Sequence, residues 1–321
     1  MLSRVAESIY WMGRYTERAE NVARFIDVNL NLSLDLGPAM DHQWAPLVYT
    51  TGDQQAFYER YPDASQQNVI QFLTFDDKNP NSIISCLRIA RENARAVRDM
   101  LSSPMWEELN KFYLMVRDAQ QDAAVTASPF DFFSRIKLSG ASLEGMAEST
   151  MSRGEAWHFR RLGRSIERAD KTSRILDVKY FVLLPSKTDV GTPLDTSQWA
   201  ALLKSATALE MYRKKHGRIT PDQVAEFLIL DRDFPRAMHF CLIRAEESVR
   251  AITGGTPGTF RNTAEQRVGR LRAELDYANI HEVVAGGLHE YIDAFQGKLN
   301  RVGDAICETF FAKEPVLAEA H

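Results

Sequence analysis

Apolar residues return every three or four positions along most of this chain, and that spacing is the strongest limit on its fold. Residues 3–34 carry Val5, Ile9, Met12, Ala19, Ala23, Ile26 and Leu30. Residues 80–101 repeat the pattern through Ile83, Leu87, Ala90, Ala94, Val97 and Leu101. A helix turns once in about 3.6 residues, so such a set lies on one face. No stretch alternates as a half-buried strand would. Helix starts are also visible: Thr220 before Pro221 with Gln223 behind, and Ser103 before Pro104. Loops rich in Gly, Pro and Asp fall at 35–42, 61–64, 75–80, 125–131, 184–197, 216–220, 231–235 and 253–262. The expectation is an all-α chain of roughly ten to twelve helices of ordinary globular length.

Inside two of these helical runs stands one charged phrase: GRYTERAEN at 13–21 and GRSIERADK at 163–171. At an offset of 150, residues 13–28 match 163–178 at eight of sixteen positions. At an offset of 155, residues 43–96 match 198–251 at fifteen of fifty-four, including Trp44 with Trp199, Pro80 with Pro235 and Cys86 with Cys241. A tandem duplication accounts for both matches. It predicts a helical bundle of two pseudo-equivalent halves, 1–150 and 151–321, packed as one compact unit.

On a helical wheel the shared residues do not occupy the apolar stripe. They form a second stripe beside it, in which acids alternate with Arg and a Gly leaves room for close approach. The first copy supplies Gly13, Arg14, Glu17, Arg18, Arg24 and Asp27; the second supplies Gly163, Arg164, Glu167, Arg168, Arg174 and Asp177. A further helix in each half carries Glu92 with Arg95 and Glu247 with Arg250, opposite its apolar stripe. Two physical readings compete. Partly buried ion pairs would clamp helices together, with Arg forking onto carboxylate. Alternatively a polar cleft would use Arg to hold a carboxylate or phosphate and Glu as acid or base. The first helices of the two halves are expected side by side, their Glu–Arg stripes facing a shared seam.

Other signals are weaker. Glu155 and His158 have the spacing of a di-iron ligand pair, but the aligned position in the first half is not a His and the four-helix ligand set is lacking. No metal and no cofactor are expected. His281-Glu282 and His289-Glu290 stand too far apart for a zinc motif. Cys86 and Cys241 sit beside core leucines and read as small buried thiols. GGTPGTF at 254–260 lacks the Lys of a phosphate loop and reads as an interhelical loop. RKKHGR at 213–218 suits a helix C-terminus. With a formal charge of −4, no nucleic acid partner is expected. No signal peptide or spanning segment is read, and three separated Cys fit a reducing compartment, so the cytoplasm is the expected location.

The phrases GRYTERAENVAR and GRSIERADKTSR, with the opening MLSRVAESIYWMGRYTERAE, resemble the bacterial alpha-E family. Its Glu–Arg motif falls here on Glu17-Arg18, with Glu167-Arg168 as a second copy. The resemblance implies an all-helical domain working beside a circularly permuted ATP-grasp ligase, often with a transglutaminase-like protein. It implies peptide or amide chemistry in which this chain is a non-catalytic accessory or scaffold subunit. The alternative is an enzyme or ligand-binding subunit of the same pathway that uses an Arg- and Glu-lined polar cleft.

Overall fold

The computed structural model describes residues 1–36, 44–121, 125, 129–182 and 193–312. These residues form 15 α-helices, one short 3-10 turn at Arg98–Met100, and no strand. The count exceeds expectation because short helices occupy stretches with too few residues to show a period. Among them are α2 (Ala45–Thr51), α3 (Gln54–Tyr58) and α14 (Ile280–Gly286). The expected loops at 35–42 and 184–197 fall mainly outside the described residues.

Two long helices form the centre. Helix α1 (Ser3–Leu36) has 34 residues and α8 (Glu155–Val182) has 28. They pack on each other, and each gathers its own neighbours in the same order. Against α1 lie α5 (Ile83–Ala96) and α7 (Pro129–Thr150), bridged by α6 (Ser103–Ala119). Against α8 lie α12 (Met238–Thr253) and α15 (Leu288–Phe310), bridged by α13 (Thr263–Asp276). The remaining helices are α4 (Gln66–Thr74), α9 (Pro193–Ser205), α10 (Leu209–His216) and α11 (Pro221–Leu230).

The two sets of neighbours interleave. Helix α2, from the first half, packs on α8, and α9, from the second, packs on α1 as well as α8. Arg24 of α1 donates to the Thr207 hydroxyl beyond α9, and Arg174 of α8 reaches towards Gly52 beyond α2. Gly52 and Thr207 both hold left-handed backbone, at φ +79° and +51°. A β-branched residue rarely adopts that conformation. One continuous apolar cluster runs from Ala6 to Phe311.

Caps fix several starts. Ser82 caps α5 by accepting from the Ser85 N–H, and Ser65 caps α4 from Asn68. At α6 the cap is Ser102, one residue before the expected Ser103, because Ser102 Oγ is the atom that reaches the Met105 N–H. Thr220 has the extended backbone of a cap, but its hydroxyl turns to the Gln223 side chain instead of a backbone N–H. GGTPGTF is the connection from α12 to α13, opened by Gly254 at φ +70°. Arg213 to His216 of RKKHGR form the last turn of α10, capped by Gly217, and Lys215 pairs with Asp231 at 2.7 Å.

The approach of α1 to α8 depends on two glycines. A methyl group built on Gly13 would overlap the Arg160 carbonyl oxygen, and one on Gly163 the Tyr10 carbonyl oxygen. Both obstacles are backbone of the facing helix, which cannot swing aside. Gly13→Ala and Gly163→Ala should each cost about 1–3 kcal/mol of stability, the usual penalty for overpacking. Gly145 of α7 has nothing within 4 Å of such a methyl group. Gly145→Ala should therefore be stabilising by about 0.5–1 kcal/mol. Melting curves on the three variants check the contrast; equal shifts would remove the role given to close approach.

Candidate functional site

The two glutamates of the repeated phrase are buried between α1 and α8, and each is held by arginines of the other helix. Glu17 on α1 is 2% exposed and Glu167 on α8 is 0% exposed. Arg168 forks onto Glu17, with Nε to Oε1 at 2.8 Å and Nη2 to Oε2 at 2.6 Å. Arg18 forks onto Glu167, with Nε to Oε1 at 2.6 Å and Nη2 to Oε2 at 3.0 Å. Arg164 adds a longer contact to Glu17 at 3.4 Å, and Arg14 a contact to Glu167 at 2.8 Å. Position for position the pairs are reciprocal: each helix supplies one carboxylate and two guanidiniums to its neighbour. The expected shared seam is therefore present, and its core is Arg14, Glu17, Arg18 and Arg164, Glu167, Arg168.

Each carboxylate also receives a third cation, and here the reciprocity ends. Glu17 takes Arg236, which precedes α12, at 3.0 Å, with Asn21 donating at 2.7 Å. Glu167 takes Lys171, one turn along its own helix, at 3.6 Å. Position 21 of α1 matches position 171 of α8, and position 81 matches 236. The pairs Asn21 with Arg236 and Lys171 with Asn81 thus place one cation on each side from different places. Asn81 accepts from Arg18 at 2.7 Å. Arg236 and Lys171 were missed in the sequence because a search for identity between halves discards positions that differ.

The electrostatics follow from this enclosure. Burial favours the neutral acid at Glu17, yet Arg168, Arg236 and Arg164 outweigh it and hold the carboxyl well below its ordinary 4.5. Glu167 is also held well below 4.5, where Arg18, Arg14 and Lys171 overcome complete burial. Neither group can take up a proton near neutrality, so neither suits a general base or acid. Burial pushes the thiols of Cys86 and Cys241 up to about 12, and both lie against the carbonyls of Pro80 and Pro235. They are structural thiols.

Outside this lock the other candidates scatter. Arg24 and Arg174 each pair with an acid one turn back, Glu20 at 2.6 Å and Asp170 at 3.0 Å. Asp27 ties α1 to Lys137 of α7 at 2.6 Å, and Asp177 ties α8 to His289 of α15 at 2.6 Å. Glu92 and Arg95 pair with each other on the solvent side of α5, 44% and 69% exposed, and take no part in the seam. Glu247 pairs with Arg161 and Arg244, while Arg250 turns to Glu246. An acid–Arg stripe opposite an apolar face looks the same in sequence whether it meets solvent or another helix. Glu155, of the di-iron spacing, reaches the Met1 amino group at 2.8 Å. No group of three His, Cys, Asp or Glu converges among the described residues.

The surroundings of the two locks differ in kind. Arg160 and Arg164 both bind Glu144 of α7, Arg160 at 2.6 Å. In the matching place around α1, Tyr10 stands for Arg160. Phe133, Ile136 and Leu143 of α7 are in register with Ile292, Phe295 and Val302 of α15, so Gly303 stands for Glu144. Arg14 Nη1 lies 3.9 Å from where a methyl group on Gly303 would stand, and its hydrogen bond runs to the Tyr10 hydroxyl at 3.4 Å. Burial opposes ionisation of Glu144, but Arg160 and Arg164 bring its carboxyl down to about 2.

Two predictions follow from the pairing. Glu167→Gln leaves Arg14, Arg18 and Lys171 around a neutral group and should cost about 3–5 kcal/mol, as broken buried pairs do. Glu92→Gln, on the exposed face, should stay within about 0.5 kcal/mol. Melting or urea curves on both variants measure the difference. The pH dependence has a definite sign. Glu17, Glu144 and Glu167 have folded values below the unfolded 4.5, so the unfolded chain binds more protons. Their stabilisation is complete above pH 4.5 and drains away as pH falls towards their folded values. Melting temperature against pH should fall steeply below that point, and Glu167→Gln should flatten the slope.

Comparison with known proteins bears on the whole chain. Two uncharacterised proteins, one of Mycobacterium bovis and one of Mycobacterium tuberculosis, are each 25% identical over 340 residues. The alignments take in 96% of this chain but 37% of theirs, so the chain spans about a third of the length of the curated relatives it matches. A shorter stretch of 74 residues, 23% of the chain, is 38% identical to a Halobacterium salinarum protein with a provisional adenylate kinase name. No solved structure is significantly similar. The profile of the Alpha-E family, described as a predicted alpha-helical domain with a conserved ER motif, matches residues 1–311. The chain belongs to the Alpha-E family.

Proposed function

We propose that this chain is a non-catalytic helical subunit that binds and positions an ATP-grasp ligase of the circularly permuted kind, in a cytoplasmic system that makes or modifies peptide or amide bonds. A transglutaminase-like protein would act in the same pathway. The observation that carries the reading is the sealing of the motif. Glu17 and Glu167 are 2% and 0% exposed and each is gripped by three cations. Carboxylates so held serve architecture rather than proton transfer, which leaves a rigid helical body as what the chain offers. That the mycobacterial relatives extend well beyond this region is in keeping with a body that works joined to other parts.

We further propose that residues 1–150 and 151–321 descend from one duplicated helical unit. The reciprocal locks, the paired glycines, the matched left-handed positions Gly52 and Thr207, and the repeated order of neighbours support it. A fused pair related by pseudo-twofold symmetry is what a duplicated homodimer would become.

Co-purification with the neighbouring ATP-grasp protein tests the functional reading. The wild-type chain should hold the ligase at a fixed stoichiometry and should show no ATP turnover alone. Glu17→Gln/Glu167→Gln should melt well below wild type and lose the ligase through loss of fold. A wild-type chain that fails to retain the ligase, or that turns over ATP unaided, would overturn the proposal.

A further inference from the structure

Beside the lock around Glu17 lies an open cleft of about 360 Å³, bounded by α8, α12 and the end of α7. Helix α8 supplies Trp157, Arg161, Arg164 and Arg168 at spacings of four, three and four, which puts them on one face. Helix α12 adds Phe240 and Arg244. We propose that this cleft binds a small organic anion, with a carboxylate or phosphate taken by Arg161, Arg164 and Arg244 and a flat apolar body against Trp157 and Phe240. Of these residues only Arg164 also belongs to the lock, and the proposal stands or falls without the ligase reading.

Three guanidiniums at the cleft keep donors that the protein does not use. Arg161 gives Nε to Ser248 at 2.8 Å, and its Nη2 lies in ion-pair contact with Glu247 at 3.3 Å. Arg164 gives Nε to Glu17 and Nη1 to Glu144. Arg244 gives Nη1 to Glu247 at 2.9 Å. Nη1 of Arg161 and Nη2 of Arg164 and Arg244 have no acceptor among the described residues. These are forked donors of the type that hold carboxylate and phosphate. Burial lowers the affinity of Arg161 and Arg164 for their protons; Glu247 opposes this at Arg161 while Arg244 adds to it, and at Arg164 the crowding by Arg168 is opposed by Glu144 and Glu17. An anion entering the cleft would relieve that crowding.

The wall of the cleft holds a buried ring with an unpaired donor. Trp157 is 4% exposed, and its indole N–H is buried without an acceptor among the described residues. A buried donor left unpaired costs free energy and calls for an explanation. The Trp157 ring carries Arg161 at 4.5 Å and Arg153 at 5.4 Å from its centroid, and Phe240 carries Arg244 at 4.9 Å. Flat apolar surface and guanidinium thus alternate along the cleft.

In the matching places of the first half Trp157 becomes Glu7, Arg161 becomes Trp11, Ser165 becomes Tyr15, Phe240 becomes Ser85 and Arg244 becomes Ile89. There Trp11 lies over Arg14 at 5.1 Å and Tyr15 over Arg18 at 5.2 Å. Aromatic rings cover the lock on that side. Opposite, Arg161 and Ser165 leave Arg164 and Arg168 open to the cleft. The lock uses residues the halves share, and the cleft uses those in which they differ.

Tryptophan fluorescence titration of the full chain tests this with four probes: AMP, N-benzoylglycine, inorganic phosphate and adenosine. AMP or N-benzoylglycine should give a saturable change, and whichever binds tighter identifies phosphate or carboxylate as the preferred group. Phosphate and adenosine alone should bind more weakly, and Trp157→Phe should abolish the signal. Arg161→Gln and Arg244→Gln should each weaken binding roughly tenfold, the scale of one charge-assisted hydrogen bond. Arg244 is 42% exposed, so its variant should melt like wild type. Arg301→Gln, in a separate basic groove formed with Arg267 and Arg270, should leave affinity unchanged. No saturable response to either anion at millimolar concentration, or an equal loss in Arg301→Gln, would overturn the site. Phosphate binding as tightly as AMP would overturn the apolar wall.

Discussion

Two carboxylates buried between α1 and α8, each forked by guanidiniums from the opposite helix, set the terms for everything around them. Neither glutamate finds enough positive charge on its own helix to be buried. Glu17 needs Arg164 and Arg168 from α8, and Glu167 needs Arg14 and Arg18 from α1. Replacing such a network with apolar side chains can be neutral or favourable, whereas removing one member is severe. The network therefore acts chiefly on specificity. A slip of one residue between the helices would strand six charges and drive the Gly13 and Gly163 contacts into backbone. Only one register satisfies the charges and the close approach together.

That lock explains why the charged phrase stands out in the sequence. An exposed helix face accepts many mixtures of Lys, Glu, Gln and Arg, but a sealed seam needs these residues at these spacings. The all-helical class was legible because its apolar stripes extend over many turns. Short helices such as α2 and α14 were not, since seven residues hold barely two turns of pattern. Of the candidate site, the symmetric part was legible as an identity between halves. Arg236, Lys171, Glu144, Arg160 and Asn21 were hidden because each differs from its counterpart. Glu92 and Arg95 were candidates by pattern alone; the wheel gives the direction of a side chain, not what it meets.

The differences between the two surrounds compensate within each side. Arg160 with Glu144 forms a charged pair where Tyr10 with Gly303 joins a large ring to an absent side chain. Neither member would fit with the other's partner. Arg160 facing Gly303 would be buried without a carboxylate, and Tyr10 facing Glu144 would leave that acid one cation short. The outer layer has moved further, with Trp11 and Tyr15 closing one side while Arg161 and Ser165 open the other. The inner lock fixes geometry, and its margins are free to take on separate chemistry.

The exchange between α1 and α8 also bears on how the chain reaches its fold. The forked pairs join residues 149 and 151 positions apart. As a ribosome releases the chain, Glu17 has no guanidinium fork to meet until residue 168 has emerged. Until then the polar stripe of α1 has no partner helix to bury it, and it stays solvated. Contacts so distant in sequence close late and slow the final step of folding. The Glu–Arg lock would then be the event that commits the molecule to its final form.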